Sequence, residues 1–319
     1  MGEPGKEGNE IVALYHPALA GRYMELLAPR FPGLTILPAV NEAEAREALN
    51  NAEILLAQIS FPGHLLAEAP HLRWVQVMGA GADALLPFVP PGVRLSRFTG
   101  SLGRHMAEYA VAHILAIAQR MPEALRNQAR HHWEPLRLTS VRGKRLGVAG
   151  LGSVGGEVAK LGAAIGMQVG GWSTREPGDI ELDAWFSATA FGDFLAWADF
   201  VVLALPATTQ TRHIINEESL AHMRPGAWLL NISRGALIDE DALLAGLRQG
   251  RPAGAVLDVF AQEPLPPGHP FWDMPNVVVT SHQSGRVIPE EVVELFATNL
   301  DRFRRDEPLQ NEIDVARGY

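Results

Sequence analysis

No feature constrains the fold of this chain more than the segment Gly150-Leu151-Gly152-Ser153-Val154-Gly155, because of what flanks it. The aliphatic run Leu146-Gly147-Val148-Ala149 leads straight into it, and a stretch with Val158, Leu161 and Ile165 on one helical face leads out. Strand, glycine turn and helix in that order make the fingerprint of a dinucleotide-binding unit. Gly150 permits the tight turn, Gly152 lets a pyrophosphate approach the backbone, and Gly155 lets the helix lie close to the strand. Leu151, Ser153 and Val154 complete the loop, and the free N–H groups at the helix start favour an anion there.

Around this motif short apolar runs alternate with helix-forming stretches. Residues 11–15, 34–37, 54–57 and 74–77 read as strands, with helical character around Leu26 and over 42–49. A Pro-Pro-Gly turn at Pro90 closes this first series near Arg97. A long helix then begins near Gly103, with Met106, Ala110, Ile114 and Ile117 recurring every three or four residues, and is expected to link two domains. A second series follows at 146–149, 169–172, 200–205, 228–232, 255–259 and 277–280. Alternating strands and helices predict parallel sheets, and runs apolar on both faces, such as Phe200-Val201-Val202-Leu203, predict sheets covered by helices on both sides. Helices are expected over 239–250 and 290–305.

At 319 residues the chain exceeds the roughly 250–300 residues at which single cores stop growing, so two domains are expected. Lys and Arg number 27 against 36 Asp and Glu, a net charge of −9 that disfavours nucleic acid or anionic membrane as partner. There is no cysteine, which removes disulfides, thiolate metal sites and thiol nucleophiles, and fits a reducing compartment. Residues 1–10 are polar and read as a loose tail without the apolar core of a secretory signal. Lys6 stands where a myristoylation motif wants Ser or Thr. The longest apolar run, 110–118, is interrupted by His113 and falls far short of the roughly 20 residues that span a bilayer. A cytoplasmic enzyme is the expectation.

Three charged residues follow successive late strands, where open α/β sheets place their ligands. Arg234 follows Asn231-Ile232-Ser233, Glu263 follows Asp258-Val259-Phe260, and His282 follows Thr280-Ser281. With these in view the chain resembles the D-isomer-specific 2-hydroxyacid dehydrogenase family, most closely its glyoxylate/hydroxypyruvate reductase branch. The resemblance covers nearly the whole chain. It includes Met78-Gly79-Ala80-Gly81-Ala82-Asp83, Met106-Ala107-Glu108-Tyr109, Arg142-Gly143-Lys144, Leu205-Pro206, Asn231 to Gly235, Glu263-Pro264 and Thr280-Ser281-His282.

The resemblance implies two doubly wound α/β domains with parallel sheets. One is an NAD(P)-binding Rossmann domain over residues 99–285; the other is a flavodoxin-like substrate-binding domain, discontinuous, made of 1–98 plus 286–319. It further implies that Arg234 binds a 2-oxo acid, that His282 is the acid/base, that Glu263 pairs with His282, and that Asp258 lies near the nicotinamide carboxamide. Leu205, Pro206, Ile232 and Ser233 fall on its cofactor-binding positions, and Met78, Gly79, Ala80 and Gly81 on its substrate-binding ones. A homodimer is implied as well. Chemistry supports these roles independently. A 2-oxo acid needs a cation that stays charged, which Arg supplies as a planar fork. The alkoxide left by hydride transfer must take a proton, and His is the side chain suited to give one near neutral pH, with a carboxylate beside it to stabilise the imidazolium. Backbone N–H groups of the Gly79-Ala80-Gly81 loop suit a carboxylate.

Cofactor choice is read about 20 residues beyond the glycine loop, where NAD enzymes usually present an acid. Here the strand ends in Ser173-Thr174-Arg175, two hydroxyls and a guanidinium that suit a 2′-phosphate. NADP, as NADPH, is the preferred cofactor; NAD remains possible, because Glu176 could reach the ribose if the loop turns differently. The reading is therefore NADPH-dependent reduction of glyoxylate or hydroxypyruvate. A dehydrogenase for a bulkier 2-hydroxy acid and a non-catalytic nucleotide-sensing scaffold are the alternatives. Formate oxidation is disfavoured, since related formate dehydrogenases carry Gln where Glu263 stands. No metal site is expected. His131-His132-Trp133 reads as a solvated loop whose Trp packs on a neighbour.

Overall fold

The computed structural model describes residues 10–176 and 178–315, so the N-terminal tail read above lies, apart from Glu10, outside the described residues. It forms two compact units, one running to Leu102 and resuming at Val287, the other comprising Gly103–Arg286.

The first unit contains β1 (Ile11–Tyr15), α1 (Ala20–Leu27), β2 (Thr35–Ala39), α2 (Glu42–Leu49), β3 (Ile54–Ala57), β4 (Trp74–Val77) and β5 (Arg94–Arg97). The strands run parallel in the order β2-β1-β3-β4-β5, the flavodoxin-like arrangement. Every residue of β3 and β4 is buried, as expected of strands covered on both faces. Asn41 starts α2 by accepting from the Glu44 N–H at 3.0 Å.

In the second unit α3 (Leu102–Ala118) and α4 (Met121–Ala129) precede β6 (Arg145–Ala149), α5 (Ser153–Ala164), β7 (Gln168–Trp172), β8 (Ala184–Phe186), α6 (Phe191–Trp197) and β9 (Phe200–Leu203). Then come α7 (Glu217–His222), β10 (Trp228–Asn231), α8 (Glu240–Arg248), β11 (Gly254–Leu257) and β12 (Val277–Val279). The seven strands are ordered β8-β7-β6-β9-β10-β11-β12, the Rossmann order with a seventh strand added. Successive side chains leave a strand on opposite faces. Val201, Leu203, Leu229 and Leu257 accordingly join one core, and Val202, Leu230 and Val256 the other.

The last helix, α9 (Pro289–Arg304), packs in the first unit. Its Phe296 stacks on Trp74 of β4 at 5.3 Å and meets Phe31 edge-on at 5.9 Å. Beside the rings the fully buried Asn299 donates to the Gln76 side-chain carbonyl at 3.0 Å and accepts from the Gln310 N–H at 2.7 Å. Arg22 and Arg30, in α1 and just beyond it, pair with Glu290 and Glu294 of α9.

Five elements lie where the sequence pattern indicated nothing. β8, α6 and α7 have three, seven and six residues, too short for a periodic pattern to register. α4 follows directly on α3 across Arg120, whose φ of 51° breaks the helix. β5 begins and ends in arginine and reads as polar, yet its free edge is occupied: Ile313 N–H donates to Leu95 O at 2.8 Å, and Arg94 forks onto Glu312 with two bonds of 2.8 Å. One expectation is corrected. Trp133 does not pack on a neighbour but is 95% exposed, in a stretch, residues 132–141, that forms neither helix nor strand.

Truncating the ring at the centre of the α9 contact, Phe296→Ala, is expected to lower unfolding free energy by about 3–5 kcal/mol, the cost of removing a fully buried aromatic. Urea denaturation followed by tryptophan fluorescence checks it; a loss below about 1 kcal/mol would mean that the site refills or that the ring carries little of the packing.

Candidate active site

Register fixes the site before any side chain is considered. Phe186, Trp172, Ala149, Leu203, Asn231, Leu257 and Val279, the final residues of the seven strands in the second unit, pair with one another in a single row across the sheet. The loops that begin one residue later therefore share one edge. They carry the glycine turn after β6, Ser173 to Arg175 after β7, Leu205 and Pro206 after β9, Ile232 to Arg234 after β10, Asp258 and Glu263 after β11, and His282 after β12.

At the glycine turn Gly150 has φ +92°, and a Cβ there would come within 2.5 Å of the Ala204 carbonyl oxygen. A Cβ on Gly155 would sit 1.8 Å from the Gly150 oxygen, so helix α5 reaches the strand only because both residues are glycine. At Gly152, by contrast, a Cβ would meet nothing within 4 Å: the backbone faces open space at the N-terminus of α5. A close packing on one side and an open approach to N–H groups on the other fit a dinucleotide pyrophosphate. Gly103 at the start of α3 belongs to the same assembly, since a Cβ there would lie 2.6 Å from the Ser153 oxygen.

Next to it, the Ser173 hydroxyl donates to the Arg175 carbonyl at 2.5 Å and accepts from the indole N–H of Trp185 in β8 at 3.1 Å. The turn is thus shaped internally, and Thr174, Arg175 and Glu176 stay exposed. Neither the Arg175 guanidinium nor the Glu176 carboxylate has a hydrogen-bond or ion-pair partner among the described residues. Leu205 is buried against Gly150, and Pro206 accepts from Thr211 Oγ1 at 2.6 Å.

After β10 the Asn231 side chain gathers the turn. It accepts from the Ser233 N–H and hydroxyl, each at 3.2 Å, and donates to the Arg234 carbonyl at 2.8 Å. Arg234 Nη1 bonds the Ser233 carbonyl at 2.7 Å. Gly235 presses so closely on the next loop that a Cβ would lie 2.0 Å from the Phe260 carbonyl carbon, which brings the Arg234 and Glu263 loops into contact. Glu263 is held by one oxygen, Oε1, which accepts from the Phe260 N–H at 3.0 Å; the other, Oε2, lies 2.7 Å from His282 Nδ1. The imidazole and the carboxylate are 39% and 36% exposed, so the ring's second nitrogen is open to a ligand.

His282 stands at φ 51°, an unusual backbone for a residue with a Cβ. Asp258, fully buried, holds it there. Its carbonyl accepts from the His282 N–H at 2.8 Å. Its carboxylate accepts from Thr280 Oγ1 at 2.5 Å, Gln283 N–H at 2.9 Å and Ser284 N–H at 2.8 Å. Sequence reasoning connected Asp258 with a cofactor amide and did not foresee this clamp. It also missed Tyr109 of α3, whose hydroxyl lies 2.5 Å from Thr280 Oγ1, and the bracing Trp185. Burial pushes the Tyr109 phenol up to about 12. Tyr109 stands in the Met106-Ala107-Glu108-Tyr109 stretch of the resemblance, but nothing there points to Thr280 as its partner.

The remaining candidates, Met78 to Gly81, follow β4 of the first unit. Met78 is buried with its N–H on the Ala57 carbonyl at 2.8 Å, Gly79 abuts Ile59, and the Ala80 carbonyl accepts from Arg97 at 3.3 Å.

Comparison with known proteins bears on this arrangement. A sequence profile described as the D-isomer specific 2-hydroxyacid dehydrogenase NAD binding domain matches residues 111–284, more than half of the chain. Glyoxylate/hydroxypyruvate reductase A of Photorhabdus laumondii is 31% identical over 97% of this chain and 99% of its own. Two crystal structures align over 97% of this chain and all of theirs. One is a D-isomer specific 2-hydroxyacid dehydrogenase from Xanthobacter autotrophicus with NADPH and MES (32% identity, TM-score 0.86). The other is an NADPH-dependent glyoxylate/hydroxypyruvate reductase from Sinorhizobium meliloti with NADP and sulfate (28% identity, TM-score 0.87). On sequence, fold and extent of coverage, this chain belongs to the D-isomer specific 2-hydroxyacid dehydrogenase family.

Proposed function

We propose that this protein reduces a small 2-oxo acid, glyoxylate or hydroxypyruvate, to glycolate or D-glycerate with NADPH. The observation that carries the reading is the 2.7 Å His282–Glu263 pair at the edge where the Arg234 turn also lies. In this scheme NADPH, when bound, supplies the hydride that arrives at the substrate's C2. His282 gives its proton to the oxygen of the former carbonyl, and Glu263 orients the ring and stabilises its charged form. Arg234 binds the carboxylate and polarises the carbonyl, with backbone N–H groups of Gly79, Ala80 and Gly81 as further ligands and Met78 beside them. Gly150 to Gly155 receive the pyrophosphate, and Leu205, Pro206, Ile232, Ser233 and Asp258 complete the cofactor's surroundings. Preference for NADPH is supported by the exposed Arg175 guanidinium, without a partner among the described residues, and by the NADP-bound relatives.

A homodimer is part of the proposal. Met121, Leu125, Trp133 and Leu138 are exposed apolar side chains within one stretch of chain, of the kind that subunit contacts cover. A cytoplasmic location is proposed on the cysteine-free composition. Among the described residues no helix is long and apolar enough to cross a membrane.

Purified protein is expected to oxidise NADPH, read at 340 nm, with glyoxylate and hydroxypyruvate faster than with phenylpyruvate, and His282→Ala to lower kcat about 10²-fold to 10⁴-fold. Faster turnover of phenylpyruvate, or a near-normal His282 variant, would overturn the assignment. Arg175→Ala should raise the KM for NADPH by about tenfold and leave that for NADH alone, the loss expected of a charge-assisted bond to the 2′-phosphate; equal effects on both cofactors would point to Glu176 instead. Light scattering should report a dimer for the native protein and a monomer for Trp133→Glu.

A further inference from the structure

Tyr109 lies on α3, 171 residues from Thr280 in sequence, yet their hydroxyl oxygens are 2.5 Å apart. The Thr280 hydroxyl has one hydrogen, and at 2.5 Å from Asp258 Oδ1 that hydrogen belongs to the buried carboxylate. The Tyr109 hydroxyl must then be the donor to Thr280. Its phenol is pushed up by burial and keeps its hydrogen at physiological pH. The result is a one-way chain of bonds, Tyr109 to Thr280 to Asp258, ending on the carboxylate that also receives the Gln283 and Ser284 N–H groups. Between those anchors stands His282 with its left-handed backbone.

We infer that Tyr109 is a positioning residue for His282: through the Thr280 hydroxyl it fixes the Asp258 carboxylate and so holds the 280–284 turn in the conformation that presents the imidazole to Glu263. A carboxylate has about four lone-pair positions, of which Thr280, Gln283 and Ser284 occupy three. If Tyr109 no longer engages Thr280, the Thr280 hydroxyl is free to rotate away, Oδ1 loses a donor, and the carboxylate can swing off the two amides. The turn then loses what offsets the backbone strain at His282. Among the described residues Tyr109 has no hydrogen bond or ring contact with Glu263 or His282, so its effect is indirect. The kinetic part of this inference rests on the reductase reading; the structural part does not.

The test is Tyr109→Phe, which keeps the ring and removes the hydroxyl, with Thr280→Val and Thr280→Ser beside it. Hydrogen exchange of the 281–284 amides is expected to speed up about tenfold in Tyr109→Phe and Thr280→Val and to remain native in Thr280→Ser, which retains the relay. In turnover kcat should fall about tenfold or more in the first two variants, the KM for NADPH should change less than about twofold, and the Tyr109→Phe/Thr280→Val double variant should be no worse than either single. Native exchange in Tyr109→Phe would overturn the relay whatever the kinetics. Faster exchange with native kcat would equally overturn it, since the turn would then be loosened without consequence for His282. If the wild-type chain reduces no 2-oxo acid, the function proposed above fails, and the exchange comparison alone decides the relay.

Discussion

Parallel pairing in register is the constraint on which the chemistry of the second unit depends. Seven strands end in one row, and the hydrogen bonding does not stop there. The Ala204 N–H bonds the Ala149 oxygen, Gly150 bonds Trp172, Ser173 bonds Phe186, Asp258 bonds Asn231, and His282 bonds Asp258. The ladder continues one or more residues past the strands into the loops. Residues that would be mobile on a free loop are therefore tied to the most rigid part of the fold. It also explains why Arg234 and the His282–Glu263 pair, widely separated along the chain, occupy one edge of the sheet.

Much of this was legible in the sequence because it rests on backbone requirements that only certain residues meet. A turn at φ +92° and a helix that passes within van der Waals contact of a strand demand glycine, and Gly150 and Gly155 are there. The central strands are legible because burial on both faces demands continuous aliphatic runs. Arg234, Glu263 and His282 are then found by counting from strand ends. What stayed hidden depends on tertiary neighbours. β5 reads as polar because Arg94 and Arg97 flank it, and only the chain at 311–313 completes its hydrogen bonding. The resemblance connects Asp258 with a cofactor amide, and its bonds to the turn that carries His282 have no sequence signal. Tyr109 gives no local hint of Thr280.

The exposed and the buried charges of the site divide the work between them. An ion pair as exposed as His282–Glu263 contributes only about 0–1 kcal/mol, while a left-handed backbone at a residue with a Cβ costs roughly 1–2 kcal/mol. That pair cannot set its own geometry. Asp258 can, because a carboxylate with no exposure must keep its donors or leave a charge buried unsatisfied, at a cost of several kcal/mol. The turn is thus fixed through Asp258, which leaves the His282 side chain itself free of that task.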